Sequence, residues 1–127
     1  MPGINCYCDS GNPFSDCCQP YILGVRKAPT AEALMRSRYS AYAVHDAEYL
    51  WQTTVPKERR HHSKPDMLQW AKSNQWLKLE IIKSTDTTVE FKAYYLDYNL
   101  KAQIHHEKSF FSKDGDSWYY VSGEYPD

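Results

Sequence analysis

Residues 76–96 read WLKLEIIKSTDTTVEFKAYYL. Apolar and polar side chains alternate with a period of two on both sides of Thr85-Asp86-Thr87, which predicts two β-strands joined by a turn. The same pattern continues downstream in residues 102–111, AQIHHEKSFF, and 117–123, SWYYVSG, with DYN and KDGD as the intervening turns. β-Branched and aromatic residues dominate all four segments, as half-buried strands require.

Upstream of Trp76 the period is helical. Thr30 is a suitable N-cap for AEALMRSRYSAYAV, whose apolar stripe runs Ala31, Leu34/Met35 and Ala41/Tyr42. Arg38 falls inside that stripe, whereas Arg36 points well away from it. Asp46 is placed to cap a short helix with Tyr49, Leu50 and Trp51, and Pro65 to open another with Met67, Leu68 and Trp70. The intervening KERRHHSK is polar and reads as a loop. Helices followed by an antiparallel meander define an α+β fold, with helices packed on one face of a curved sheet. A cavity is expected between the two layers. The uncovered sheet face is a candidate homodimer surface, because an aromatic sheet covered on one side leaves apolar surface to bury.

The chain has 127 residues, enough for one domain with a small appendage, and its 15 basic and 16 acidic residues give no footprint for nucleic acid or an anionic membrane. No apolar run reaches bilayer length and the first residues lack a secretory pattern, so a cytoplasmic protein is expected, with reduced thiols. Composition changes near Ile22, from Gly, Pro, Asn, Ser and Cys with little to bury, to helix formers. The expected division is therefore an appendage over 1–22 and the main domain over 23–127.

All four cysteines lie in the appendage, as Cys6-Tyr7-Cys8, eight residues, then Cys17-Cys18. Ser10-Gly11 and Asn12-Pro13 favour a reversal that returns the second pair to the first. Four thiolates suffice for tetrahedral zinc and leave no open coordination position, which implies one structural zinc per chain. Disulfides, a redox pair and unpaired thiols are the competing readings, with iron-sulfur ligation a minor alternative whose usual spacings adjacent cysteines fit poorly. The first is opposed by the compartment, and the second by the absence of CxxC.

The C-x-C, the Ser-Gly turn and the terminal CC resemble the SEC-C zinc knuckle, a motif implicated in docking to proteins and ribosomes. APTAEALMRSRYSAYA, HEKSFF and WYYVSG resemble the YchJ-like bacterial family. That resemblance implies a knuckle followed by a nuclear-transport-factor-2-like (cystatin-like) domain of unestablished role. It also implies Cys6, Cys8, Cys17 and Cys18 as the metal ligands, with Tyr7 and Asp9 replacing the usual Pro and first Gly of the knuckle. A partner docked through the knuckle, protein or ribosomal, is the corresponding expectation.

In the main domain, Arg38 and Glu107 are the candidate ligand-binding residues. An arginine in an apolar stripe needs an anion or acceptors. Glu107, on the third strand, is placed to pair with it inside the fold; alternatively Arg38 binds a carboxylate or phosphate in the cavity, bidentately. His106 and Glu107 point to opposite faces, so they form no direct dyad. His105 shares the Glu107 face and is expected to pair with it only weakly and diagonally. His61-His62 reads as part of a solvated basic turn. Two functions follow: a zinc-bearing adaptor or ligand-binding protein, or an enzyme using Glu107, Arg38 and a tyrosine on a small acidic or carbonyl substrate.

Overall fold

The computed structural model describes residues 4–126. Its elements run α1 (Gln19–Ile22), α2 (Ala31–Ala43), α3 (Ala47–Gln52), α4 (Lys64–Ser73), β1 (Gln75–Ser84), β2 (Thr88–Leu96), β3 (Ala102–Asp114) and β4 (Ser117–Glu124). Helices α2 and α3 start at the expected caps, and α4 opens with the expected Pro65 in its first turn behind an N-cap at Ser63. Thr30 Oγ1 accepts the Ala33 N–H at 3.0 Å, Asp46 Oδ1 the Tyr49 N–H at 3.0 Å, and Ser63 Oγ the Asp66 N–H at 3.3 Å. The segment expected as a loop contains a 3-10 helix over Pro56–His61. Pro56 presets its first residue, and Arg59 ties it back by donating to the Thr54 and Gln52 carbonyls at 3.0 Å each.

The strands form one antiparallel sheet in the order β1-β2-β3-β4. Val89, Phe91 and Ala93 alternate inward on β2, and Glu107, Ser109 and Phe111 on β3. Three register shifts interrupt the ladders, two in β1 and one in β4. The last is decisive for the interior. Phe110 pairs with Ser122 but Phe111 pairs with Tyr120, so Val121 is the extra residue of a bulge. Tyr120 and Gly123, three apart in sequence, consequently share the inner face. The centre of the outer face is polar: Tyr94 donates to Glu80 at 2.7 Å, and His106 pairs with Glu90 at 2.8 Å.

Both sheet edges are covered locally. The Leu79 N–H of β1 donates to Asp9 Oδ2 at 2.7 Å. On β4, the Tyr120 N–H donates to the Thr53 carbonyl at 2.7 Å, and its carbonyl accepts the Val55 N–H at 2.9 Å. Free edge groups invite pairing with another chain, and these contacts remove them.

Helix α2 is buried nearly all round from Leu34 to Ala41, because the sheet, α3 and the cysteine segment press on different sides of it. The expectation that the first residues bury little does not hold. Cys6, Cys8 and Cys18 lie in the same buried cluster as Leu34, Met35, Tyr39 and Leu79. Arg36, outside the apolar stripe, is covered by this segment and donates to the Cys8 carbonyl at 2.7 Å.

Candidate metal centre and ligand cavity

The cysteine segment reverses as its turn residues require. Asp9 and Gly11 take positive φ values of 62° and 87°. Asn5 and Pro13 form a bridge across the reversal, and the Cys6 N–H donates to the Asn12 carbonyl at 2.8 Å. This brings all four sulfurs within 4.8 Å of one another. Cys8 and Cys17 Sγ are 3.6 Å apart, and Cys17 and Cys18 Sγ 3.9 Å. A tetrahedron of Zn–S bonds has edges of about 3.8 Å, so the spacing fits a metal and not an S–S bond; all four cysteines are free thiols. Ser10 Oγ lies 3.2 Å from Cys17 Sγ and Ser40 Oγ 3.6 Å from Cys6 Sγ. Such hydrogen bonds orient ligands and spread their charge.

The thiols divide one proton economy among themselves. Hydrogen bonds from Cys18 and Cys8 pull the Cys6 thiol down, and the same bond to Cys6 pushes Cys18 up. Burial pushes Cys17 up to about 11. Four sulfurs this close do not ionise together without a cation, and a divalent metal bound among them would replace the protons. Four sulfurs around one metal ion would leave no coordination position for a substrate.

The second site is a cavity of about 310 Å³ between α2, α4 and the sheet. Its walls are mainly aromatic, including Tyr39, Tyr42, Trp70, Trp76 and Phe91. Its polar end holds Arg38, Glu107, His105, Ser109 and Tyr120. Trp70 and Tyr125, at 42% and 68% exposure, belong to both the lining and the surface and mark its mouth.

Arg38 and Glu107 meet in this cavity but do not form the expected ion pair. Arg38 Nη1 donates to the Leu50 carbonyl at 2.9 Å and to Thr53 Oγ1 at 2.7 Å. Leu50 lies in the last turn of α3, where carbonyls lack helical partners and capture the guanidinium. The Tyr120 ring stands beside it, 4.6 Å from Cζ. Tyr120 then links the two charges, its hydroxyl donating to Glu107 Oε2 at 3.0 Å. Ser109 Oγ donates to the same oxygen at 2.6 Å.

His105 is the second correction: its Nε2 lies 2.7 Å from Glu107 Oε1, a close contact and not a weak diagonal one. Residues two apart on a strand share a face, and the β3 twist brings their ends together. Burial works to raise the Glu107 carboxyl, but the bonds from His105, Ser109 and Tyr120 outweigh it and hold the group below its ordinary value. An ionised carboxylate only accepts, so His105 Nε2 carries the hydrogen and Nδ1 is the nitrogen open to other chemistry. His106 is on the opposite face, as expected.

Two residues at or behind the pole had no signal in the sequence. Gly123 faces Ser109 across the ladder, and a Cβ there would sit 2.6 Å from the Glu107 carboxyl carbon. His62, expected in a solvated turn, reaches the cavity and packs edge-on to Tyr120 at 6.5 Å. Burial, then the nearby Arg38 charge, lower its basicity. Only the β4 bulge and the 3-10 helix bring these groups inward.

An α+β domain with a helix-sheet cavity and a four-cysteine knuckle defines a class, the nuclear-transport-factor-2-like domains with an attached SEC-C motif. The family model for the YchJ middle NTF2-like domain matches residues 30–123, and the chain belongs to this family. It is 40% identical over 125 residues to a UPF0225 protein of Geobacter sulfurreducens, covering 93% of this chain and 77% of that one. A UPF0225 protein of Haemophilus influenzae is 42% identical over 123 residues, covering 92% and 75%. The solution structure of a SEC-C motif containing protein from Rhodopseudomonas palustris matches with a TM-score of 0.89 and 38% identity, over 98% of this chain and 100% of that one. The crystal structure of a sec-c motif containing protein from Psychrobacter arcticus matches with a TM-score of 0.79 and 31% identity, over 100% and 84%. Among the described residues no helix is long and apolar enough to cross a membrane.

Proposed function

We propose that this protein is a small-ligand-binding protein of the cytoplasm, built around one structural zinc. The observation that carries the reading is the aromatic cavity that ends in a charged, hydrogen-bonded pole while its mouth stays open at Trp70 and Tyr125. Binding sites combine apolar walls with a few placed polar groups in this way. Zinc is the metal favoured by four thiolates at tetrahedral spacing, and reduced thiols are favoured by the cytoplasm. Elemental analysis of purified protein should give about one zinc per chain. Native mass spectrometry compared with denatured protein should reveal a co-purified small molecule, or a fragment screen should shift cavity resonances; a screen that leaves every cavity resonance unmoved overturns the reading.

Two further roles have specific support. Ile4, Leu23 and Val25, at 69%, 67% and 74% exposure, sit on the knuckle and its exit and favour docking to a protein or ribosomal partner. Loss of partner capture on replacing all three by Ser would support it. His105, oriented by Glu107 in a cavity, favours an acid-base enzyme. In that reading Nδ1 is the base, and the His105→Gln variant would bind ligand without turning it over. A homodimer through the sheet face is weighed against the polar centre of that face, and sedimentation decides it.

A further inference from the structure

Resting on the ligand-binding reading, the geometry of the polar pole narrows what the cavity accepts. Arg38 is buried, with 5% exposure. Its Nη1 atom is committed to Leu50 and Thr53, while Nε and Nη2 have no partner among the described residues. No buried side-chain nitrogen or oxygen among those residues lacks a partner. The unpartnered Nε–Nη2 edge must therefore open onto space, and the cavity is the space Arg38 borders. The Tyr42 hydroxyl is in the same position: it lines the cavity and has no protein partner among the described residues. Tyr42 follows Arg38 by four residues on α2, so the two side chains share one face of the helix, and both line the cavity.

The side-on edge of a guanidinium matches two oxygens of one planar carboxylate. The rest of the pole sets the charge. Glu107 is anionic and its oxygens are already taken by His105, Ser109 and Tyr120. Its charge opposes a dianion in this space, since like charges in a desolvated site repel strongly. A phosphate group is disfavoured for that reason, because Arg38 is the one Lys or Arg residue in the lining. The remaining walls are ring faces and edges from Tyr39, Trp70, Trp76 and Phe91, which favour a flat aromatic body. A volume of about 310 Å³ suits one ring or two fused rings.

We propose that the cavity binds an aromatic monocarboxylate, with the carboxylate on the Nε–Nη2 edge of Arg38 and the Tyr42 hydroxyl, and the ring among Trp70, Trp76 and Phe91.

The test uses the full zinc-loaded chain and three probes of one shape: 2-naphthoate, the neutral 2-naphthamide and the dianionic 2-naphthyl phosphate. Binding is read by tryptophan quenching and by the Arg38 Nε–H resonance in a proton-nitrogen spectrum. 2-Naphthoate should bind saturably, at least tenfold tighter than either analogue, and should shift the Arg38 Nε–H. Tyr42→Phe should weaken 2-naphthoate severalfold and leave 2-naphthamide unchanged. Arg38→Gln should abolish the preference for the carboxylate, although it also loses the Leu50 and Thr53 contacts; the wild-type resonance shift and Tyr42→Phe stand independently of its folding. Equal binding of 2-naphthamide, with an unmoved Arg38 resonance, overturns the carboxylate assignment while the cavity remains a ligand site. Preference for 2-naphthyl phosphate overturns it likewise. Absence of binding by 2-naphthoate overturns it too, and the fragment screen then decides separately whether the cavity takes any ligand.

Discussion

The metal centre and the cavity pole both gather ionisable groups inside the molecule, and they solve the resulting cost in opposite ways. The four sulfurs are like groups within 4.8 Å of one another, and only a shared cation makes all four thiolates tolerable. The pole holds opposite charges, Arg38 and Glu107, yet keeps them from neutralising each other directly. Thr53 and the Leu50 carbonyl hold one; His105, Ser109 and Tyr120 hold the other. The first arrangement is closed, because every ligand atom points at one centre. The second is left open, because indirect satisfaction leaves an edge of Arg38 facing the cavity. Closure suits a structural role and openness suits recognition.

The sharpest way to break this comparison is to unmake the closed site. Cys8 is fully buried and its carbonyl also receives Arg36. Cys8→Ser should eliminate bound metal and cost about 4 kcal/mol, a large part of the stability of a small domain. Thermal unfolding should fall by roughly 15 °C. A metal-free variant that melts with the wild type would mean the knuckle is a passive appendage, despite its place in the core cluster.

Next in size is the pole. Glu107→Gln removes the charge that three donors share and should cost about 3 kcal/mol. The pH dependence follows from the sign of its shift. The folded carboxyl lies below its ordinary value of 4.5, so its stabilising contribution is complete above that value and is lost as pH falls through the folded one. The stability gap between wild type and Glu107→Gln, from urea titrations, should narrow as pH drops below 4.5. A gap that instead widens in acid would show that Glu107 is protonated in the native pole.

Gly123→Ala is smaller and more local. Its methyl would press on the Glu107 carboxyl, so the pole must shift, at about 2 kcal/mol. Metal content should be unchanged, and the His105 ring resonances should move. The opposite pattern, loss of metal with unmoved His105, would erase the distinction between the two regions.

These variants also explain what could be read from the sequence. The knuckle was legible because its ligands, turn glycine and reversal occupy one contiguous stretch, and local chemistry dictates local geometry. The fold class was legible because periods of 3.6 and 2 are local as well. Arg38 and Glu107 stood out as misplaced charges, but their partners did not. Tyr120 and Gly123 reach one face only through an extra residue at Val121, and no alternation pattern encodes which strand will bulge. Thr53 enters through a bridge between Thr54 and Tyr120 that joins segments 66 residues apart. His62 turns inward on a 3-10 helix whose sequence looks like a solvated loop. The pole is thus written in register and long-range pairing, which a single sequence states only weakly.

The smallest prediction concerns the seam between the regions. Asp9 replaces a glycine usual in the resembling knuckle, and it takes φ of 62° with its carboxylate on the Leu79 amide of β1. Asp9→Ala should cost about 1 kcal/mol through this one charge-assisted bond, partly deepened because alanine tolerates the left-handed backbone less well. Asp9→Gly separates the two effects, since glycine relieves the backbone while still deleting the carboxylate. In both variants the Leu79 amide should exchange with solvent faster than in the wild type, and Glu107 and its neighbours should be unaffected. If Leu79 exchange is unchanged in Asp9→Gly, the knuckle does not hold the edge of the sheet through this residue. Its attachment then rests on Arg36 and the buried cysteines, on the α2 side alone. An accelerated Leu79 with an intact cavity would show that the knuckle serves two separate purposes: sealing one edge of the sheet and bracing the helix that carries Arg38.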